Sequence, residues 1–365
     1  NICGDYSEIV TSIWAEISVV CKSRRLVAVS CAFFALALAL IVPPPAQAGQ
    51  TLDTIRSSGA VRCGIAPFHR VDEVNGVGQS KGGLDRLICK AIAAAVLGDK
   101  TRAVFVPVSA SLRFKSLQQG DYDVLIRGTT WTLSRDAAKG LHFAGINFYD
   151  GQGFIVRRDL GAASVLDLKN PKVCVETNTT SEANFSDFAE LHKFKHQRIL
   201  FRSHKEVRAA FFSGQCDVYT ADRSTLAAAR ISVAPEPNDY VVLPQTISKE
   251  PLGPVVRDND NAWFRIVRWT LNGLIEAEEL GVTSQNIAQM LNSPKPSGQR
   301  FLGVKTGIGE PLGLDDQWAR RMIEQVGNYG ELYDVSIGKK SRVHLPRGLN
   351  ALWKNGGLLY APPLR

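Results

Sequence analysis

Methionine is scarce in this sequence: there are two, Met290 and Met322, and neither stands near the start. Residues 1–21 therefore read as upstream translated sequence with no targeting logic of their own. Dense Lys/Arg runs interleaved with aromatics are also missing. The formal charge is +8, from 43 Lys+Arg against 35 Asp+Glu, but the basic residues are scattered. A solvated basic surface is expected, and nucleic acid is not an expected partner. No Cys-x-x-Cys spacing suggests zinc, and no Gly-x-Ser-x-Gly suggests a nucleophilic serine. Gly76 to Gly83 is a turn-rich loop, not a phosphate cradle. No cofactor and no metal is expected. Past residue 42 no run is long and apolar enough to span a bilayer.

What is present describes a foldable chain. Apolar residues make up 45% and charged residues 21% of 365, enough for two domains with accessories. Near the N-terminus, Lys22, Arg24 and Arg25 precede an apolar run from Leu26 to Val42, then three prolines and Ala46-Gln47-Ala48. That order of charge, apolar run and small residues is a secretory signal, with cleavage expected after Ala48. The alternative is an uncleaved anchor, since the run approaches a membrane span in length. Three of seven cysteines (Cys3, Cys21, Cys31) precede that point, and Cys63, Cys89, Cys174 and Cys216 follow it. An even number in an exported chain suggests disulfides, with three pairings open.

The later chain alternates strands and helices. A short helix over Gln50 to Gly59 leads to a strand over Ala60 to Ala66, a Gly/Asn/Asp-rich loop to Gly83, and an amphipathic helix from Leu84 to Leu97 closed by Gly98. A strand over Ala103 to Val108 is followed by a helix from Ser109 to Gln119 with Leu112, Phe114 and Leu117 inward. Next comes the stretch from Asp121 to Asp136: a strand over Tyr122 to Ile126, a break at Gly128, then hydroxyls and Arg135 at the start of a helix. Glycine allows close backbone approach, the hydroxyls donate, and the guanidinium offers a fork for a carboxylate. The same corner also reads as an ordinary strand–turn–helix with a locally paired arginine.

Phe148 to Arg157 reads as one long strand leaving the first domain. A second unit then repeats the logic, its strand Val173 to Glu176 ending in Thr177-Asn178-Thr179-Thr180-Ser181 before a helix from Glu182 to His192. Strands over Arg198 to Phe201 and Asp217 to Asp222 follow. Tyr240 to Pro244 with Gly253 to Arg257 reads as a strand returning to the first domain, ahead of a long helix, Trp263 to Leu280. The expected class is α/β with largely parallel sheets, and ligands in such sheets sit beyond the carboxyl ends of the strands. Two facing domains would form a cleft. Pairing Cys63 with Cys89 and Cys174 with Cys216 keeps each disulfide within one lobe.

Several segments resemble the periplasmic general L-amino-acid-binding proteins of ABC transporters, within the type II bilobal family. They are Thr51-Leu52-Asp53-Thr54, Thr129 to Asp136, Tyr149-Asp150-Gly151-Gln152-Gly153-Phe154, Cys216 to Asp222, Ile247 to Pro254, Glu276-Ala277-Glu278-Glu279, Gln325 to Glu331 and Arg347 to Trp353. The resemblance implies a two-lobe fold: two doubly wound sheets joined by hinge strands, plus a C-terminal helical extension. Its implied organisation is an N-terminal extension and signal over 1–48, lobe 1 over 49–154, lobe 2 over 155–245, a return to lobe 1 over 246–295, and an extension over 296–365 packing on lobe 1. It implies that Arg135 grips an α-carboxylate with help from Thr130 beside Gly128, that Thr180 contributes from the other lobe, and that Asp222 takes the ammonium. Thr180 and Asp222 read equally well as helix N-caps. Phe68 either stacks over the ligand or belongs to the core. The implied partners are a free L-amino acid and membrane ABC permease subunits, with the binding protein acting as a monomer in the periplasm.

Some positions depart from the family pattern. Leu87 replaces an Asp, Lys81 stands where Trp is common, Gly128 replaces a usual Asn, and Asn178 replaces a usual Gly. The side-chain pocket therefore differs, which implies altered specificity or a weakened relative. Rival classes are a secreted dehydratase of arogenate or prephenate type on the same fold, and a sensory or adhesion receptor. For an enzyme the further cleft acids and bases are few, Glu176 and His69, and Glu176 reads as a surface or cap acid. His192 and His196 stand at i, i+4, but the cationic Lys193-Phe194-Lys195 between them suits an exposed helix better than a metal face. Asn178-Thr179-Thr180 matches a glycosylation acceptor but reads as a cleft turn.

Overall fold

The structure, a computed structural model, describes residues 49–67, 83–137, 140–305 and 307–365, all within one compact unit. The signal segment, Phe68, His69 and Lys81 lie outside the described residues. The first lobe opens with α1 (Gln50–Ser58), β1 (Val61–Ile65) and α2 (Leu84–Leu97), followed by β2 (Ala103–Pro107), α3 (Arg113–Gln119), β3 (Val124–Leu125), α4 (Leu133–Asp136) and β4 (Leu141–Phe143). The chain then runs through β5 (Phe148–Asp150) into β6 (Gln152–Arg157), β7 (Lys172–Glu176), α5 (Thr180–Leu191), β8 (Gln197–Phe201), α6 (His204–Phe212), β9 (Val218–Asp222), α7 (Arg223–Ser232) and β10 (Tyr240–Val242). It returns through β11 (Glu250–Leu252) to β12 (Val255–Arg257) and the long α8 (Asn261–Leu280). The helices α9 (Ile287–Leu291), α10 (Pro296–Phe301), α11 (Trp318–Val326) and α12 (Tyr329–Ser336) complete the α-helices among the described residues.

The strands form two five-stranded sheets, ordered β2-β1-β3-β12-β4 and β10-β6-β9-β7-β8, with the ribbon β11-β5 between them in the chain path. In each sheet three strands are parallel: β2, β1 and β3 in the first, β8, β7 and β9 in the second. The remaining strands pair antiparallel, so both sheets are mixed. Both faces of each sheet are covered. Along β6 the pleat sends Phe154 and Val156 into one core and Ile155 into the other. In the first lobe, Val61, Cys63 and Ile65 pack into a core shared with α2, α8 and the C-terminal Trp318, Met322, Tyr329 and Tyr333.

Three expectations fail here. The anticipated long strand breaks at Gly151 into β5, in the ribbon, and β6, in the second sheet. A Cβ on Gly151 would fall 2.4 Å from Thr246 Cγ2 and 2.9 Å from the Ser248 carbonyl oxygen, so the two crossing segments close on a bare backbone. Tyr240–Val242 does not return to the first lobe; it pairs antiparallel with β6, and only β12 rejoins the first sheet. The helix expected from Ser109 starts at Arg113. Leu112 is 54% exposed, while Arg113, at 3%, takes the inward position.

Disulfides join Cys63 on β1 to Cys89 on α2, and Cys174 on β7 to Cys216 just before β9, each within one lobe. Among the described residues no helix is long and apolar enough to cross a membrane.

Candidate functional site

A cavity of about 240 Å³ opens where the carboxyl ends of strands from both sheets face each other. Gly128, Thr130 and Arg135 line it from the first lobe, and Thr180 and Asp222 from the second. Five of the six ligand residues expected from sequence thus meet in one cleft; the sixth, Phe68, is outside the described residues.

Arg135 sits on the one-turn helix α4, started by Thr132, whose Oγ1 accepts from the Arg135 N–H at 3.3 Å. Its Nη1 donates to the Thr130 carbonyl oxygen at 3.0 Å, and the guanidinium lies 5.8 Å from the centre of the Phe114 ring. These contacts aim the fork while no ion pair joins it to another described residue. Burial lowers the Arg135 pKa, and Glu250 and Asp222 oppose that shift. The turn that presents it depends on Gly128 at φ 57°, and its counterpart in the second lobe on Asn178 at φ 61°. Both backbones are left-handed, which suits glycine and tolerates asparagine, so the two exchanges relative to the family pattern preserve the turns.

The cap readings of Thr180 and Asp222 do not hold. Thr179 caps α5, its Oγ1 accepting from the Glu182 N–H at 3.3 Å, which leaves the Thr180 hydroxyl free to donate to Glu250 Oε2 at 3.0 Å. Asp222 occupies the position before α7, yet its side chain accepts no capping bond. Burial raises its carboxyl pKa well above the ordinary value, Asp150 and Glu250 add to the rise, and Arg135 and Arg127 oppose it. An acid in that setting gains from an ammonium group placed beside it.

Sequence reasoning missed Glu250. This side chain, 1% exposed on β11, accepts from Thr130 and Thr180, from Asn184 Nδ2 at 2.6 Å and from Ser248 Oγ at 2.7 Å. Thr130 belongs to the first lobe and Thr180 with Asn184 to the second, their hydroxyls 3.2 Å apart, so one carboxylate ties both walls of the cleft. The available signal was a lone acid inside Ser248-Lys249-Glu250-Pro251-Leu252, a segment otherwise returning toward the core.

Two arginines were also missed. Arg127 and Arg113, 8% and 3% exposed, both line the cavity. Arg113 donates to the Ala110 carbonyl; burial first, then Arg127 and Arg135, bring its pKa down to about 9. Glu176 is not a surface or cap acid: it is 3% exposed and sits 3.0 Å from His204 Nε2. Burial alone would raise the Glu176 carboxyl, but the His204 bond, with Arg127 and Arg113, holds it below the ordinary value. His192 and His196 share no helix face, since α5 ends at Leu191 and the rings pack on Phe188 and Phe194. Among the described residues no cluster of His, Cys, Asp and Glu has the makings of a metal site.

Residues 60–286 match the model of the bacterial extracellular solute-binding proteins, family 3. A general L-amino acid-binding periplasmic protein from Rhizobium johnstonii is 44% identical over 331 residues, covering 90% of this chain and 97% of the relative. A glutamate/glutamine/aspartate/asparagine-binding protein from Rhodobacter capsulatus is 43% identical over 339 residues, covering 92% and 99%. Among solved structures, an ABC transporter periplasmic binding protein from Brucella ovis with glutathione bound superposes with a TM-score of 0.83 at 43% identity, covering 86% of this chain and 99% of that one.

Proposed function

The chain belongs to the bacterial extracellular solute-binding proteins of family 3, and from that premise we propose that it captures free L-amino acids in the interlobe cleft and delivers them to a membrane ABC permease. The observation that carries this reading is the pairing of poles: Arg135 on the first lobe and Asp222 on the second line one cavity, and neither forms an ion pair with another described residue. A zwitterion needs one fork and one carboxylate, each charge-assisted bond contributing about 1.5–3 kcal/mol. Arg135 takes the α-carboxylate and Asp222 the α-ammonium. Thr130 assists through its carbonyl, which holds the guanidinium in place. With their protons given to Glu250, the Thr130 and Thr180 hydroxyls turn lone pairs toward the cleft, which suits the ammonium end.

Because the two poles sit on different lobes, only the closed arrangement satisfies both, and ligand affinity then drives closure. The lobe organisation proposed is the expected one, 49–154 with 246–295, 155–245, and an extension over 296–365, with the first boundary drawn back to Gly151 because β6 already lies in the second sheet. The periplasmic relatives and the two intralobe disulfides support export by the N-terminal signal and residence in the periplasm. Action as a monomer is part of the same proposal. Calorimetry against a panel of free L-amino acids tests the reading: one-to-one binding without turnover is expected, and product formation from arogenate or prephenate would favour the enzyme class instead.

A further inference from the structure

Arg135 and Asp222 leave a second cationic group on the cavity wall without a task. Arg127 follows β3, is 8% exposed and lines the cavity. Its Nε has no hydrogen-bond partner among the described residues, and no ion pair there reaches its guanidinium. The acids that act on it, Glu176 first, then Asp85 and Asp222, lie beyond ion-pair distance, and Glu176 is held by His204. Arg113, 3% exposed, lines the same cavity, its Nε also unpartnered. Arg113, Arg127 and Arg135 stand close enough that the latter two each depress the ionisation of the first. A buried charge is costly unless paired, and like charges crowded on one wall add to that cost. A single α-carboxylate on Arg135 answers one of these guanidiniums and leaves the other two without an ion pair among the described residues.

We propose that Arg127, backed by Arg113, recognises a second carboxylate, so that the preferred solutes are amino acids with an acidic side chain. The proposal rests on the amino-acid reading above and assigns its specificity. The planar fork of Arg127 suits bidentate capture, which a carboxylate accepts on two oxygens and a carboxamide on one.

The test compares L-glutamate with L-glutamine, which share a shape and differ in this charge, by calorimetry on the wild type, Arg127→Met and Arg127→Lys. The wild type is expected to bind glutamate about tenfold or more tightly than glutamine. Arg127→Met should remove that preference by weakening glutamate far more than glutamine, whose carboxamide loses a single bond, and the glutamine binding that remains also reports an intact fold. Arg127→Lys keeps the charge but not the fork and should fall between. Equal or tighter binding of glutamine by the wild type overturns the second pole alone. So does a parallel loss for both ligands in the variants, since that marks a structural role. If Arg127→Met fails to fold, Arg127→Lys decides by the same comparison. Binding of neither ligand by the wild type overturns the amino-acid reading, and the proposal with it.

Discussion

Exchanging Glu250 for glutamine removes a buried charge that receives four side-chain donors from both walls of the cleft. Bonds to a charged acceptor contribute about 1.5–3 kcal/mol, so Glu250→Gln is expected to lower the stability of the unliganded protein by about 1–3 kcal/mol in urea titration. Asp222 leads to a pH dependence. Its folded-state pKa is raised above the ordinary 3.8, so its contribution to stability is complete below that value and is lost as pH rises through the raised value. Asp150, raised by burial as well, titrates with it, while Glu250 opposes and Arg135 and Arg127 favour ionisation. A bound ammonium reverses the sign, so amino-acid affinity should rise with pH across that window. Asp222→Asn should flatten this rise, stabilise the unliganded protein at neutral pH and weaken binding, all readable by calorimetry and melting across a pH series. The sequence exposed Arg135, Thr130, Thr180 and Asp222 because each closes a strand–turn–helix corner, where hydroxyls and charge stand out against apolar neighbours. It hid Arg113, Arg127 and Glu250, since a charge at a strand end or on a short helix looks like an ordinary solvated one until the opposite lobe buries it.

Helix α2 shows how far local pattern carries. Its apolar positions recur at helical spacing and Gly98 ends it at φ 77°, so both bounds were readable from Leu84 to Leu97. The break between β5 and β6 was not readable, because alternation runs on through Gly151 and the cause is a distant contact with Thr246 and Ser248. For the same reason the sheet that takes Tyr240–Val242 was not readable: its apolar content fits either, and only pairing with β6 decides. Gly151→Ala should push the two crossing segments apart. A cost of about 1–3 kcal/mol is expected in denaturant titration, as for overpacked interiors, with weaker ligand binding because the walls then meet less well. Unchanged stability and affinity would show that the close approach at Gly151 has no role in holding the lobes.

For the molecule as a whole, the chain passes between sheets twice, at β5 to β6 and again from β10 to β11, and the two passages are held side by side by the pairing of β5 with β11. Two adjacent crossings allow one lobe to turn against the other with small backbone changes, which is the usual form of a hinge. The long α8 and the C-terminal helices share the first lobe's core instead. A Cβ on Gly273 would sit 3.1 Å from Met322 Cε and 3.3 Å from the Trp318 ring, so that packing is close and the extension shares one core with the lobe it covers. In the proposed function closure would bring Arg135 and Asp222 to opposite ends of one small solute, and binding should depend on both. The most direct test is a calorimetric titration of free L-amino acids into Arg135→Ala beside the wild type. Affinity should fall by about a hundredfold or more, as expected for losing a bidentate charged contact, while the melting temperature of the unliganded protein stays near the wild-type value. Binding of undiminished strength in that variant would contradict the two-pole account.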